Sequence, residues 1–332
     1  MSETATTTDP KTLIQQLLLP IAADMKAVDE IIRQELSSDV SRMHEISEYI
    51  TSAGGKRMRP ALLMLICRAL GYEGTLHQYL GATIELLHTA TLMHDDVVDE
   101  SELRRGRPTA NNRWGNGAAV LVGDFLYTRS FQMMVRAGNL RVMQALSDAA
   151  NRLSEGEVIQ MVNAHDPSVD EERYFKVIER KTACLFEAAA RMAAAIADCS
   201  PEQENAVARY ALCLGNAFQI ADDILDYTGN VAETGKNLGD DLREGKVTLP
   251  IIYARRVCTD AERDVIDQAI RLGTGDFESI ASIVLRTNSL KACAERAEEE
   301  LVRGQEALNM LPPSIFRESL IKLLAFTVKR NR

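Results

Sequence analysis

Two short runs concentrate carboxylates: Asp95-Asp96-Val97-Val98-Asp99 and Asp222-Asp223-Ile224-Leu225-Asp226. In a helix, positions i and i+4 share a face, so Asp95 aligns with Asp99 and Asp222 with Asp226. Carboxylates this crowded repel one another, and burying them uncompensated is costly, so each group is either solvated or neutralised by a cation. Hard divalent ions take oxygen ligands, and Mg²⁺ is typically shared between one or two carboxylates and substrate phosphates. A single such cluster reads equally well as a solvated helix face. Here each follows apolar sequence, Thr89-Ala90-Thr91-Leu92-Met93 and Phe218-Gln219-Ile220-Ala221, which suggests carboxylates at the rim of a buried cavity.

Cations stand where an anionic substrate would need them. Gly54-Gly55-Lys56-Arg57-Met58-Arg59-Pro60 is a glycine-opened basic turn at a helix start, with Lys56 and Arg59 at i and i+3. Just past the first Asp run comes Arg104-Arg105-Gly106-Arg107-Pro108, and arginine grips phosphate oxygens bidentately. His88 precedes Asp95 by seven residues, two helical turns on one face. His94 lies on another face and reads as structural. Lys181, Thr182 and Gln219 are polar positions within apolar helices, so they are expected to face a cavity. Lys236 and Lys246 flank Gly239-Asp240-Asp241, a charged loop able to close over phosphate or simply to be solvated.

The elements that position these groups read as helices throughout. Apolar residues recur at three and four, as in Leu80, Ile84, Leu87 and in Phe175, Ile178, Thr182, Leu185, without sustained strand-like alternation. Ser168 with Glu171, Ser200 with Pro201 and Gln203, and Thr259 with Glu262 resemble helix-opening capping boxes, and Gly71, Gly138, Gly229 and Gly273 fall where periodic segments stop. The spacing predicts helices over 11–37, 40–52, 58–71, 75–99, 117–137, 140–164, 169–198, 201–229, 246–258, 260–272, 276–286, 288–310 and 313–331. The class is all-α. No linker, low-complexity tract or repeat divides residues 1–332, which predicts one domain with residues 1–10 flexible.

A net charge of −10 and a pI near 5.2 argue against nucleic acid or an anionic membrane surface as the principal partner. Any anionic substrate must therefore be bound locally, by metal or a small basic pocket. Six scattered cysteines without a CxxC pair read as reduced packing residues. The polar start lacks a signal-peptide pattern, and no apolar run approaches the ~20 residues of a membrane span. The expected location is the cytoplasm.

Taken in order, GGKRMRP, HTATLMHDDVVDE, RRGRPT, LVGDFLY, the Lys181-Thr182 pair, QIADDILDY and GDDLREGKVTLP resemble the trans-isoprenyl diphosphate synthase family over roughly residues 50–255, most of all those members that make the octaprenyl chain of bacterial quinones. The resemblance implies an all-α orthogonal bundle around a deep central cavity, a homodimer and Mg²⁺. It implies that Lys56, Arg59, His88 and Arg105 hold isopentenyl diphosphate, and that Arg104, Lys181, Thr182, Gln219, Lys236 and Lys246 serve the allylic diphosphate, farnesyl diphosphate being the expected primer. Asp95, Asp99 and Asp222 become the expected direct metal ligands, with Asp96, Asp223 and Asp226 supporting or additional. In such enzymes the allylic C–O bond ionises, isopentenyl diphosphate attacks the cation, and a proton is lost.

Short-chain members carry bulky aromatics just before the first Asp run. Ala90 and Thr91 stand there in this chain, so growth past short products is expected. The next obstruction is Phe131-Gln132-Met133-Met134, which predicts an octaprenyl-length product with Met133 or Met134 near the tunnel floor. Competing readings are another chain length, a class I terpene cyclase, disfavoured by GGKRMRP and the second Asp run, and a regulatory subunit, disfavoured by intact aspartates.

Overall fold

A computed structural model describes residues 10–52, 54–228 and 239–329 of the protein. α1 (Pro10–Leu18) runs through a 3-10 turn (Leu19–Ile21) into α2 (Ala22–Glu35). There follow α3 (Ser41–Ser52), α4 (Met58–Ala69), α5 (Leu76–Val98), α6 (Ala110–Trp114), α7 (Asn116–Ala137), α8 (Leu140–Asn163) and α9 (Glu171–Ile178). A π-helical turn (Glu179–Ala183) joins α9 to α10 (Cys184–Ala197), and α11 (Pro201–Thr228) is the longest helix described. The remainder is α12 (Asp240–Arg243), α13 (Leu249–Val257), α14 (Asp260–Leu272), α15 (Phe277–Arg286), α16 (Ser289–Ala307), a 3-10 turn (Leu308–Met310) and α17 (Ile315–Lys329).

The protein is all-α, and the burial pattern explains the layering. α4 is buried on every side from Pro60 to Cys67, as expected of a helix apolar all round. α10 is alanine-rich and, Arg191 apart, buried from Cys184 to Ala195, so its backbone comes close to α11, α8 and α4, which pack on it. α5 lies along α7 and against α4 and α2, while α11 is covered by α16 and α17. One buried cluster runs through these helices, from Ile21 to Val328. Among the described residues no helix is long and apolar enough to cross a membrane. All six cysteines are free thiols, five of them buried.

The structure departs from the expected boundaries in instructive places. Pro20 lies in a 3-10 turn that splits the first expected helix, since proline lacks the N–H that helix continuation needs. Residues 103–108 form a small hairpin pairing Leu103 with Pro108 and Arg104 with Arg107. Both residues of its turn have positive φ, Arg105 at 54° and Gly106 at 72°, the geometry of a tight hairpin loop. Two of the three expected capping boxes form. Thr259 and Glu262 bond reciprocally, and so do Ser200 and Gln203. Ser168 does not cap; its N–H donates to Asp166, and Asp170 caps α9. Gly71, Gly138 and Gly273 all have positive φ at helix ends; Gly229 lies outside the described residues.

Candidate active site

The two basic segments meet. Arg57 adopts a left-handed conformation (φ 46°) before α4 and pairs with Glu85 at 2.9 Å, so Lys56 stands in the loop rather than on the helix with Arg59. Arg105 lies against Gly55, where a Cβ would be 2.9 Å from its Nη1. Bare backbone at Gly55 leaves the space that the Arg105 guanidinium occupies. Lys56 Nζ stands 5.6 Å over the Phe218 ring and the Arg59 guanidinium 4.7 Å over Phe186, so α10 and α11 orient both cations from below. Arg59 Nε is buried with no hydrogen-bond partner among the described residues, an orphan donor that suits a phosphate oxygen. Burial, then the neighbouring Arg59, Arg105, Arg104 and Arg57, holds His88 well below the usual imidazole range. His88 is therefore neutral beside a cationic group. His88, Arg57, Arg104 and Arg105 line one pocket with Gly54, Glu85 and Asp96.

At the C-terminal end of α5, the Asp run separates into two roles. Asp99 caps the helix, its N–H still bonded to the Asp95 carbonyl at 2.8 Å, so the expected stacking of the pair holds. Burial, reinforced by Glu157 and Asp99 and opposed by Lys181 and Arg104, pushes the Asp95 carboxyl up to about 7. Such a group is poised to gain from a cation. Asp96 is turned away into a bidentate pair with Arg104, with bonds of 2.7 to 3.0 Å. His94 turns to α7, where its Nε2 lies 3.3 Å from both the Val120 carbonyl oxygen and Asp124 Oδ1.

Lys181 and Thr182 sit in the π turn, which two glycines accommodate. A Cβ at Gly156 of α8 would be 2.8 Å from the Lys181 backbone nitrogen, and one at Gly215 of α11 would be 2.6 Å from Ala183 Cα. The wider turn aims Lys181 at Glu157, 2.7 Å away, and Thr182 at α11. A relay follows. The Thr182 hydroxyl donates to Gln219 Oε1 (3.0 Å), Gln219 Nε2 donates to Asp223 Oδ1 (2.8 Å), and the Tyr174 hydroxyl donates to Asp223 Oδ2 (2.6 Å). Asp223 is buried, and burial with the neighbouring Asp241 raises its carboxyl well above the usual range. Asp222 and Asp226 share the outward face of the same helix by their i and i+4 spacing.

Lys246 joins the 239–246 segment to the first Asp run. It bonds Asp99 at 3.1 Å and also contacts Glu244, and burial is outweighed by Glu244, Asp241 and Asp99, which raise its ammonium further. Lys236 lies outside the described residues. Of the tunnel candidates, Ala90 is fully buried on α5 and Thr91 turns its hydroxyl back to the His88 carbonyl at 2.8 Å. Met133 and Met134 are buried on α7. Gly123 of α7 lies against His94, so these methionines sit ten residues and more along α7, about 15 Å below the Asp run at 1.5 Å per residue.

Sequence reasoning missed Phe186 and Phe218 beneath the basic loop, Glu157 as the partner of Lys181, and Tyr174 behind Asp223. Only Phe218 left a signal, its adjacency to Gln219. The others act across helices far apart in sequence.

A family model described as polyprenyl synthetase matches residues 40–285. The chain is 47% identical over 313 residues to the octaprenyl diphosphate synthase of Escherichia coli, covering 94% of this chain and 97% of that one. It is similar to the crystal structure of a decaprenyl diphosphate synthase from Rhodobacter capsulatus (TM-score 0.91, 42% identity, 96% and 99% coverage). It is equally similar to that of a Caulobacter crescentus polyprenyl synthase complexed with calcium and isoprenyl diphosphate (TM-score 0.92, 37% identity, 96% and 98% coverage). The paired Asp runs, the basic pocket and these likenesses together show that the chain belongs to the polyprenyl synthetase family, as a long-chain trans-prenyl transferase.

Proposed function

We propose that the protein condenses isopentenyl diphosphate onto an allylic diphosphate, farnesyl diphosphate as primer, to give octaprenyl diphosphate for a quinone side chain. The observation that carries this reading is the meeting of two cationic groups at the carboxylate end of α5. Arg59, Arg104 and Arg105 surround His88, while Lys181 and Arg104 act on Asp95 and Lys246 bonds Asp99. Two anionic substrates can thus lie beside one carboxylate helix end.

Asp95, Asp99, Asp222 and Asp226 offer carboxylate oxygens that Mg²⁺ could share with substrate phosphates, and burial together with acidic neighbours raises the Asp95 carboxyl. Bound there, Mg²⁺ would stabilise charge developing on the departing diphosphate. Lys181, Lys246 and Arg104 grip that diphosphate and orient the C–O bond that breaks. Asp96 fixes the Arg104 fork. The Thr182–Gln219–Asp223 relay sets the Gln219 amide with its carbonyl oxygen toward Thr182, so both dipoles can face the allylic cation. Lys56, Arg59 and Arg105 present isopentenyl diphosphate, whose double bond attacks the cation. The proton then lost can leave with pyrophosphate, so no side chain need act as base. The buried walls of α4, α5 and α10 exclude water that would quench the cation.

We read residues 1–332 as one cytoplasmic domain that works as a homodimer. The free thiols favour a reducing compartment, and α7 exposes Val120, Leu121 and Val135, apolar side chains suited to a second copy. The test of function is incubation with farnesyl diphosphate, labelled isopentenyl diphosphate and Mg²⁺, then chromatography of the dephosphorylated products. An octaprenyl peak is expected. A cyclised hydrocarbon or no product overturns the elongase reading, and a dominant chain of other length overturns the assigned product.

A further inference from the structure

Lys246 reaches Asp99 from a segment, residues 239–246, whose only regular structure is the four-residue α12. So short a helix cannot hold its place by itself. The segment is held from outside at both ends. Gly239 and Gly245 are buried, with φ of 78° and 70°, and each lies beneath a ring delivered from a distant element. Phe277, the first residue of α15, covers Gly239, and any Cβ there would overlap its ring. Phe277 also stacks on Tyr227 (centroids 5.7 Å apart, 28° between planes), next to Asp226, whose carbonyl accepts from Gly239 N–H at 3.2 Å.

At the other end, His165 from the α8–α9 connection covers Gly245, its ring Cγ 2.8 Å from where a Cβ would stand. His165 is itself left-handed (φ 63°), a conformation that costs a non-glycine residue. Two bonds hold it there. Its N–H donates to the Gly245 carbonyl at 2.9 Å, and ring Nδ1 lies 2.8 Å from the Ile270 carbonyl near the end of α14. Because that carbonyl only accepts, Nδ1 carries the proton. Gly273 keeps the same space open; a Cβ there would be 3.1 Å from His165 Cε1 and 2.7 Å from the Arg243 carbonyl oxygen.

We propose that His165 and Phe277 are positioning residues: two rings that pin residues 239–246 so that Lys246 is presented to the allylic diphosphate. This rests on reading Lys246 as a ligand of that diphosphate. The ring of His165 does not enter the core, since the residue is exposed, so its replacement should leave the fold intact.

The test is steady-state kinetics with farnesyl and isopentenyl diphosphates and Mg²⁺ on His165→Ala, His165→Asn, Phe277→Leu and Lys246→Ala, alongside thermal melting. His165→Ala and Phe277→Leu are expected to raise KM for farnesyl diphosphate about tenfold, with KM for isopentenyl diphosphate changed less than about twofold. Asparagine tolerates the left-handed backbone and can donate to Ile270, so His165→Asn should recover most of the loss. If Lys246→Ala leaves the allylic KM unchanged, the reading of Lys246 fails. If Lys246→Ala raises it but the two ring variants do not, the clasp is wrong. A fall in melting temperature with both KM values moving together would make the rings merely structural, and would equally overturn the proposal.

Discussion

Within Asp95-Asp96-Val97-Val98-Asp99 the three carboxylates look alike on paper, and only Asp95 and Asp99 can be paired by helical spacing. Their surroundings divide them. Asp96 is consumed by the Arg104 fork, while Asp95 faces Lys181, Glu157 and Asp99. The same division recurs at Asp223, tied to Tyr174 and Gln219. The roles of metal ligand and arginine holder should therefore separate in kinetics. Asp95→Asn is expected to cost about 10³-fold in kcat, the scale of losing charge stabilisation in the transition state. Asp96→Asn should cost about tenfold and raise the allylic KM, because Arg104 loses its partner but not its charge. Equal losses in kcat for the two variants would show that Asp96 is itself a ligand. The candidate site residues could be nominated from the sequence because charged residues framed by apolar ones are rare. Their pairings could not, because Arg104 and Asp96 could each have chosen other partners.

At the scale of elements, periodicity located the long helices, and it failed where a neighbour rather than the local chain sets the geometry. Residues 169–198 read as one helix, yet α9 begins at Glu171 and the backbone widens into a π turn over Glu179–Ala183. Such turns are rare and often functional. Nothing in the composition of ERKTA announces one. What permits it lies elsewhere: bare backbone at Gly156 and Gly215 leaves room for Arg180, Lys181 and Ala183. Gly215→Ala would place a methyl 2.6 Å from Ala183 Cα, a backbone contact that cannot rotate aside. The expected result is a loss of about 1–3 kcal/mol in stability, with a fall in kcat larger than for alanine at an exposed α11 position, since Lys181 and Thr182 move together. Chemical denaturation with parallel assays checks both; an unperturbed kcat would separate the π turn from catalysis. The hairpin at 103–108 was missed for a related reason. Two residues per strand are too few for any periodicity, although Gly106 marked the turn.

For the whole molecule, the proposed octaprenyl product requires depth below the Asp run. Ala90 is small and buried on α5, and the floor candidates on α7, Met133 and Met134, are buried as well. Met134→Ala is expected to lengthen the product distribution, read by the same chromatography, while costing about 2–5 kcal/mol as a core truncation. An unchanged distribution would remove Met134 from the floor. The sequence by itself determined the helical class, the carboxylate and basic clusters, the small residues before Asp95 and, through its motifs, the family. These follow from residue type and spacing along one helix, which local sterics and charge repulsion already constrain. Tertiary structure decided which carboxylate meets which cation, that Arg105 lies on Gly55, that Lys246 reaches Asp99, and that His165 and Phe277 hold the segment bearing it. Those contacts join residues far apart in the chain. Their distances are set by how buried helices cross, and no local pattern encodes that.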